Sequence, residues 1–119
     1  MEPFRSIRPF IGSRDFGVSR AFYRDLGFEE SVISDNMSLF RQNGTAFYLQ
    51  DYLVEDWISN TMMLLEVQDA DRFWQYLNGL DLASKYPGIR LIPVKKHDWG
   101  DECMLIDPAG VLWHFAAFH

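Results

Sequence analysis

The chain has 119 residues, a length suited to one domain built round one core. Apolar residues make up 48% of it and aromatic residues 16%, a globular composition rather than a disordered one. Seventeen acidic side chains against eleven basic ones give a net charge of −6, which argues against nucleic acid as a partner, because phosphate binding needs a cationic face.

In chain order, Arg5 to Gly12 has an extended pattern interrupted by Pro9. Proline in a strand belongs at an edge or a start, so this strand is expected at a boundary or exchanged with a partner copy. Asp15 is placed to cap a helix whose apolar stripe is Val18, Phe22 and Leu26, and Gly27 ends it. Phe28 to Ser34, Ser38 to Gln42 and Thr45 to Gln50 read as strands separated by the turn pairs Asp35-Asn36 and Asn43-Gly44. Asp51 to Asn60, with Trp57, reads as a connector or a short helical turn. The order then repeats. Thr61 to Gln68 is a strand, Asp69 a second cap, and Phe73, Tyr76, Leu77 and Leu80 a second helical stripe. Ile89 to Val94, Glu102 to Ile106 and Val111 to Phe118 are three more strands, with a turn at Pro108-Ala109-Gly110. The expected class is α+β, one domain of two βαβββ modules, about 1–58 and 59–119. Helices would cover one face of each sheet and leave the opposite faces to enclose a cleft.

The single cysteine, Cys103, excludes an intrachain disulfide and lies in an apolar run, where it reads as a buried small hydrophobe. Met1 to Phe10 lacks the apolar stretch of a secretory signal, and no run approaches transmembrane length, so a cytoplasmic protein is expected. No phosphate loop, zinc-type Cys/His spacing or nucleophile elbow is legible.

Two stretches, Pro9-Phe10-Ile11-Gly12-Ser13-Arg14-Asp15 and Phe22-Tyr23-Arg24-Asp25-Leu26-Gly27-Phe28, resemble the opening strand and helix of the vicinal-oxygen-chelate proteins, the glyoxalase/bleomycin resistance protein/dioxygenase superfamily. The closing stretches Trp99-Gly100-Asp101-Glu102 and Asp107-Pro108-Ala109-Gly110-Val111-Leu112-Trp113-His114-Phe115 resemble its bleomycin-resistance branch in particular. The resemblance implies a U-shaped mixed sheet around a cavity. For the resistance branch it implies homodimers that sequester a large cationic, aromatic antibiotic between subunits without chemistry. For the enzymes it implies one divalent metal on four inward strand positions. Those positions fall here on Arg8, Tyr48, Met62 and His114. Only His114 suits such an ion, because arginine has no free lone pair and a thioether prefers soft metals. Neither metal nor cofactor is therefore expected.

Side chains alternate along a strand, so the same register puts Ala46, Tyr48, Gln50, Met62, Leu64, Glu66, Leu112, His114 and Ala116 on the cavity face. The expected ligand-binding residues are Met37, Tyr48, Glu66, Trp99, Glu102 and His114. Glu66 is either a counter-ion or general base for a ligand, or an ion-pair partner of Arg8 or another core arginine. His114 is either a ligand contact or a hydrogen-bonded cavity histidine. Trp99, at the cavity mouth beside Asp98, Asp101 and Glu102, either stacks on a planar cation or packs on a partner subunit. Met37 stands where resistance proteins carry a stacking aromatic, and Leu64 and Glu66 where they carry tryptophans. The expected function is metal-independent binding of an aromatic or cationic small molecule by a homodimer, with or without exchange of the N-terminal strand. The alternatives are a metal-dependent glyoxalase- or dioxygenase-like lyase or isomerase with non-standard ligands, and a sensing or interaction module.

Overall fold

A computed structural model describes residues 1–119. The Asp15 side chain accepts from the Val18 N–H and starts helix α1 (Phe16–Leu26). Gly27 ends it at φ 125°, where a Cβ would also lie 2.7 Å from the Tyr76 hydroxyl. Strands β2 (Glu29–Ser34), β3 (Met37–Gln42) and β4 (Thr45–Gln50) follow as an antiparallel meander, and β1 (Phe10–Ile11) joins β4 in parallel. The resulting order is β1-β4-β3-β2.

The connector forms a short helix, α2 (Glu55–Asn60). The second module then repeats the plan with β5 (Met62–Glu66), α3 (Ala70–Gly79), β6 (Arg90–Lys96), β7 (Gly100–Ile106) and β8 (Leu112–Phe118). Asp69 caps α3 by accepting from the Arg72 N–H, and the second sheet has the matching order β5-β8-β7-β6. A four-residue helix, α4 (Leu82–Lys85), lies between α3 and β6. The two mixed sheets do not close into a barrel. No helix is long and apolar enough to cross a membrane.

Two expectations need correction. The first strand covers Phe10–Ile11 rather than Arg5 to Gly12. In the parallel register, with Phe10 beside Tyr48, residues 7–9 would stand beside Thr45 to Phe47, but they do not continue the strand. Pro9, lacking an N–H, contributes only its carbonyl, which accepts from the Tyr48 N–H at 2.9 Å. Helix α4 was not expected at all.

The core fills the helix-facing sides of both sheets. Phe47 and Leu49 of β4, Trp113 and Phe115 of β8, Phe22 and Tyr23 of α1, and Leu77 of α3 are all buried. Each such phenylalanine or leucine contributes roughly 1.5–3 kcal/mol relative to exposure. The aromatic rings run across the two modules, with Tyr23 4.9 Å from Phe47 and Phe47 5.3 Å from Trp113. A polar clasp crosses the same boundary. Trp113 Nε1 donates to the Tyr23 hydroxyl at 2.8 Å, and that hydroxyl donates to Asp107. The other Asp107 oxygen accepts the backbone N–H groups of Ala109, Gly110 and Val111 at 2.8–2.9 Å, which fixes the turn into β8. Burial, with the Asp107 carboxylate alongside, holds the Tyr23 hydroxyl well above its ordinary pKa, so it remains a donor. Cys103 is buried in the same core, and burial pushes its thiol up to about 11. That makes it inert rather than nucleophilic.

Candidate functional site

The alternation expected along β5 and β8 is present. Met63, Leu65, Trp113 and Phe115 pack on the helix side, and Met62, Leu64, Glu66 and His114 lie on the open face. In the sheet register Leu64 stands beside His114 and His114 beside Met104, while Glu66 stands beside Ala116 and Ala116 beside Glu102. Small Ala116 is closed over between the two acidic neighbours.

A cavity of about 530 Å³ opens on this face, lined by Met62, Leu64, Trp99, Glu102, His114 and Phe118. Trp99 forms its wall and is 43% exposed. The His97 ring stacks on the indole at 4.8 Å and 9°, and Phe118 leans on it at 5.4 Å. The strand entering from Trp99 runs so close to β8 that a Cβ at position 100 would lie 2.2 Å from the Ala117 carbonyl oxygen, so Gly100 is required there. Glu102, only 9% exposed, forms the floor. One of its oxygens is 3.3 Å from His114 Nδ1 and the other 3.6 Å from His97 Nε2. His97 Nε2 is buried and has no hydrogen-bond partner. The arrangement offers a fixed aromatic plane, an apolar rim and a carboxylate held between two imidazoles. Those are recognition elements.

The six residues expected to bind a ligand divide into groups. Trp99, Glu102 and His114 share this cavity. Glu66 lines an adjoining cavity of about 550 Å³ between the modules, with Ile7, Phe47, Leu64 and Trp113. It makes no ion pair with Arg8 or with any other arginine, and the Arg8 guanidinium donates instead to the Tyr48 hydroxyl at 3.2 Å. Tyr48 and Met37 belong to the other sheet. Tyr48 stacks on Phe10 at 4.8 Å, and half-buried Met37 pairs with Gln50. Within one chain the six do not converge. The sequence reading missed the parts played by His97 and Phe118. The two-residue spacing of His97 and Trp99 was the available signal for the first.

The four positions that carry metal ligands in the enzymes do not form a metal centre here. Arg8 and Tyr48 are bonded to each other, Met62 stands beside Leu112, and His114 faces Glu102. The imidazoles of His97 and His114 address opposite oxygens of Glu102 rather than a common point, and no three His, Cys, Asp or Glu side chains are grouped to hold an ion.

No protein-family model and no curated protein matches the chain. Solved structures do. A bleomycin-binding protein from bleomycin-producing Streptomyces verticillus, solved with copper(II)-bleomycin, is 24% identical over 100% of both chains, with a TM-score of 0.83. A bleomycin resistance determinant encoded on the transposon Tn5 is 22% identical over 96% of this chain and 98% of its own, with a TM-score of 0.79. A lactoylglutathione lyase from Agrobacterium tumefaciens is 16% identical over 98% of this chain and 96% of its own, with a TM-score of 0.73. Binding proteins and an enzyme thus share this architecture, and the chain has the vicinal-oxygen-chelate fold of the glyoxalase and bleomycin-resistance proteins.

Proposed function

We propose that the protein binds a planar, cationic small molecule without chemical change, in the manner of a bleomycin-resistance protein, in clefts formed by two copies of the chain. The observation that carries this reading is the pairing of the half-exposed Trp99 plane with the buried Glu102 carboxylate in one cavity. An indole stacks on a flat ring and attracts positive charge, and a carboxylate in a poorly hydrated floor selects a cation. His114 orients that carboxylate, and Glu66 adds a second negative group on the same sheet face.

Pairing of two copies rests on the N-terminal arm. Residues 1–9 are all exposed, and Phe4 and Ile7 are 96% and 95% exposed. Two large apolar side chains left this exposed are covered when a second copy packs over the arm where it lies. Pairing would also set the Met37 and Tyr48 face of one copy opposite the Trp99 face of the other, which brings the divided residues to one cleft.

Native mass spectrometry with metal-free bleomycin and with proflavine, a planar cationic dye, tests the reading. The expected species is a dimer carrying two ligand molecules. Trp99→Ala is expected to keep the dimer and weaken binding by at least about tenfold, the cost of one stacking anchor. A monomer that takes up neither compound at millimolar concentration overturns the proposal.

A further inference from the structure

The protein is acidic overall, yet one groove on the first sheet gathers positive charge. It has a volume of about 460 Å³ and is lined by Arg5, Arg8 and Arg41 against a single carboxylate, Glu29. Glu29 reaches Arg41 only at 3.8 Å and is itself largely exposed. Arg5 and Arg8 make no ion pair. Arg8 is nonetheless held in place. One of its nitrogens donates to the Tyr48 hydroxyl at 3.2 Å, and the Tyr48 ring is fixed by stacking on Phe10. That hydroxyl accepts from Arg8 and donates to no protein group, so its own proton is free, as are the remaining guanidinium N–H groups. Arg41 shares the sheet face, because it stands beside Ala46 as Leu39 stands beside Tyr48. The groove therefore offers three guanidinium groups against one carboxylate, with hydroxyl and amide side chains between them.

We propose that this groove is a binding site for a compact oxyanion, a phosphate, sulfate or carboxylate group of a small molecule, held by Arg8 and Arg41 with the Tyr48 hydroxyl as a further donor. Guanidinium groups match the oxygen spacing of such anions and bind them through paired hydrogen bonds. A net charge of −6 opposes a polyanion such as nucleic acid, so the ligand is a single small group. Within one chain the site lies on the opposite sheet from Trp99, and none of its donors touches the indole.

The test is a titration with inorganic phosphate, sulfate or acetate at constant ionic strength, followed by the amide shifts of Arg8, Thr45 and Tyr48. Saturable binding of at least one anion in the millimolar range is expected. Arg8→Gln and Arg41→Gln should each weaken it about tenfold, as loss of a charge-assisted contact does. Tyr48→Phe, losing one neutral donor, should weaken it about threefold. Trp99→Ala should leave it unchanged, because no anion contact involves the indole. Shifts that stay linear for all three anions and match those caused by chloride overturn the proposal, as does unaltered affinity in Arg8→Gln.

Discussion

Asp15 and Asp69 do the same work in the two modules, each accepting from the backbone N–H three residues on, and each sheet sets its first strand parallel beside its last. The open faces differ. The first sheet carries Arg8 bonded to Tyr48, and the second carries Glu102 between two histidines beside Trp99. Caps, turns and helix-facing positions specify the fold, because burial and backbone hydrogen bonds depend on them. Open-face positions answer to neither requirement and are free to take up opposite chemistries. The modules also differ in how they are locked. The turn into β8 is built on the buried carboxylate of Asp107, and the turn into β4 is the exposed pair Asn43-Gly44.

That asymmetry predicts the largest effect. Asp107→Ala leaves the Ala109 and Val111 N–H groups and the Tyr23 hydroxyl without their acceptor in a buried region, while the Gly110 N–H keeps the backbone carbonyl of residue 107. Unpaired buried groups cost about 1–3 kcal/mol each, and partial relaxation brings the expected loss to about 3–5 kcal/mol in urea unfolding. Asp107→Asn, which keeps one oxygen for the backbone donors, is expected to lose about half as much. A loss below about 1 kcal/mol in the alanine variant would show that water replaces the clasp and that the aromatic contacts alone join the modules.

Glu30 is the corresponding lock in the first module, tying α1 to its sheet. Its carboxylate accepts from Arg20, Arg24 and the Ser38 hydroxyl. Burial raises its pKa, but the bonds from Arg20, Ser38 and Arg24 outweigh that and hold it at about 2, against an ordinary 4.5. The folded value lies below the unfolded one. Its contribution is therefore complete above about pH 4.5 and is lost as pH falls towards 2. Both arginines are partly exposed, so solvent screening reduces the expected contribution to about 1–2 kcal/mol. Glu30→Gln should lose that much at pH 7 and nothing near pH 2. A difference that persists undiminished at low pH would assign the effect to packing instead of charge.

The element order was legible because local signals agreed. Aspartate caps, Gly27, the Asn43-Gly44 turn and two-residue alternation each mark a boundary or a face without reference to the rest of the chain. Helix α4 was not legible. It is preceded by Asp81 in a left-handed conformation at φ 55°, whose side chain makes no cap hydrogen bond, and it is held by Leu82 in the core. Packing, rather than propensity, forms it. The length of β1 was hidden for a related reason, since it depends on which residues of the arm find a partner on β4. The open-face parity of β5 and β8 was read correctly because alternation is local. The grouping of Trp99 with Glu102 and His114, apart from Tyr48 and Met37, depends on which sheet each belongs to. His97 escaped notice because a histidine in a polar loop acquires meaning only through the indole and carboxylate it meets.

The smallest expected effect tests whether the two modules are independent where they look most alike. Asp15→Ala and Asp69→Ala should each cost about 1 kcal/mol, the usual worth of a side-chain helix cap. Distant, uncoupled sites add, so the double variant should lose about 2 kcal/mol if each helix answers only to its own sheet. The helices are connected, however. The Tyr76 hydroxyl of α3 donates to the Leu26 carbonyl at the end of α1 at 2.6 Å, and the Tyr86 hydroxyl after α4 reaches Asp25. Both links lie at the far end of α1 from its cap. Fraying confined to the first turn would leave them intact, and additivity should hold within about 0.5 kcal/mol. A double-variant loss exceeding the sum by more than that, and disappearing in a Tyr76→Phe background, would show that loosening one helix start is transmitted along the helix to the other module.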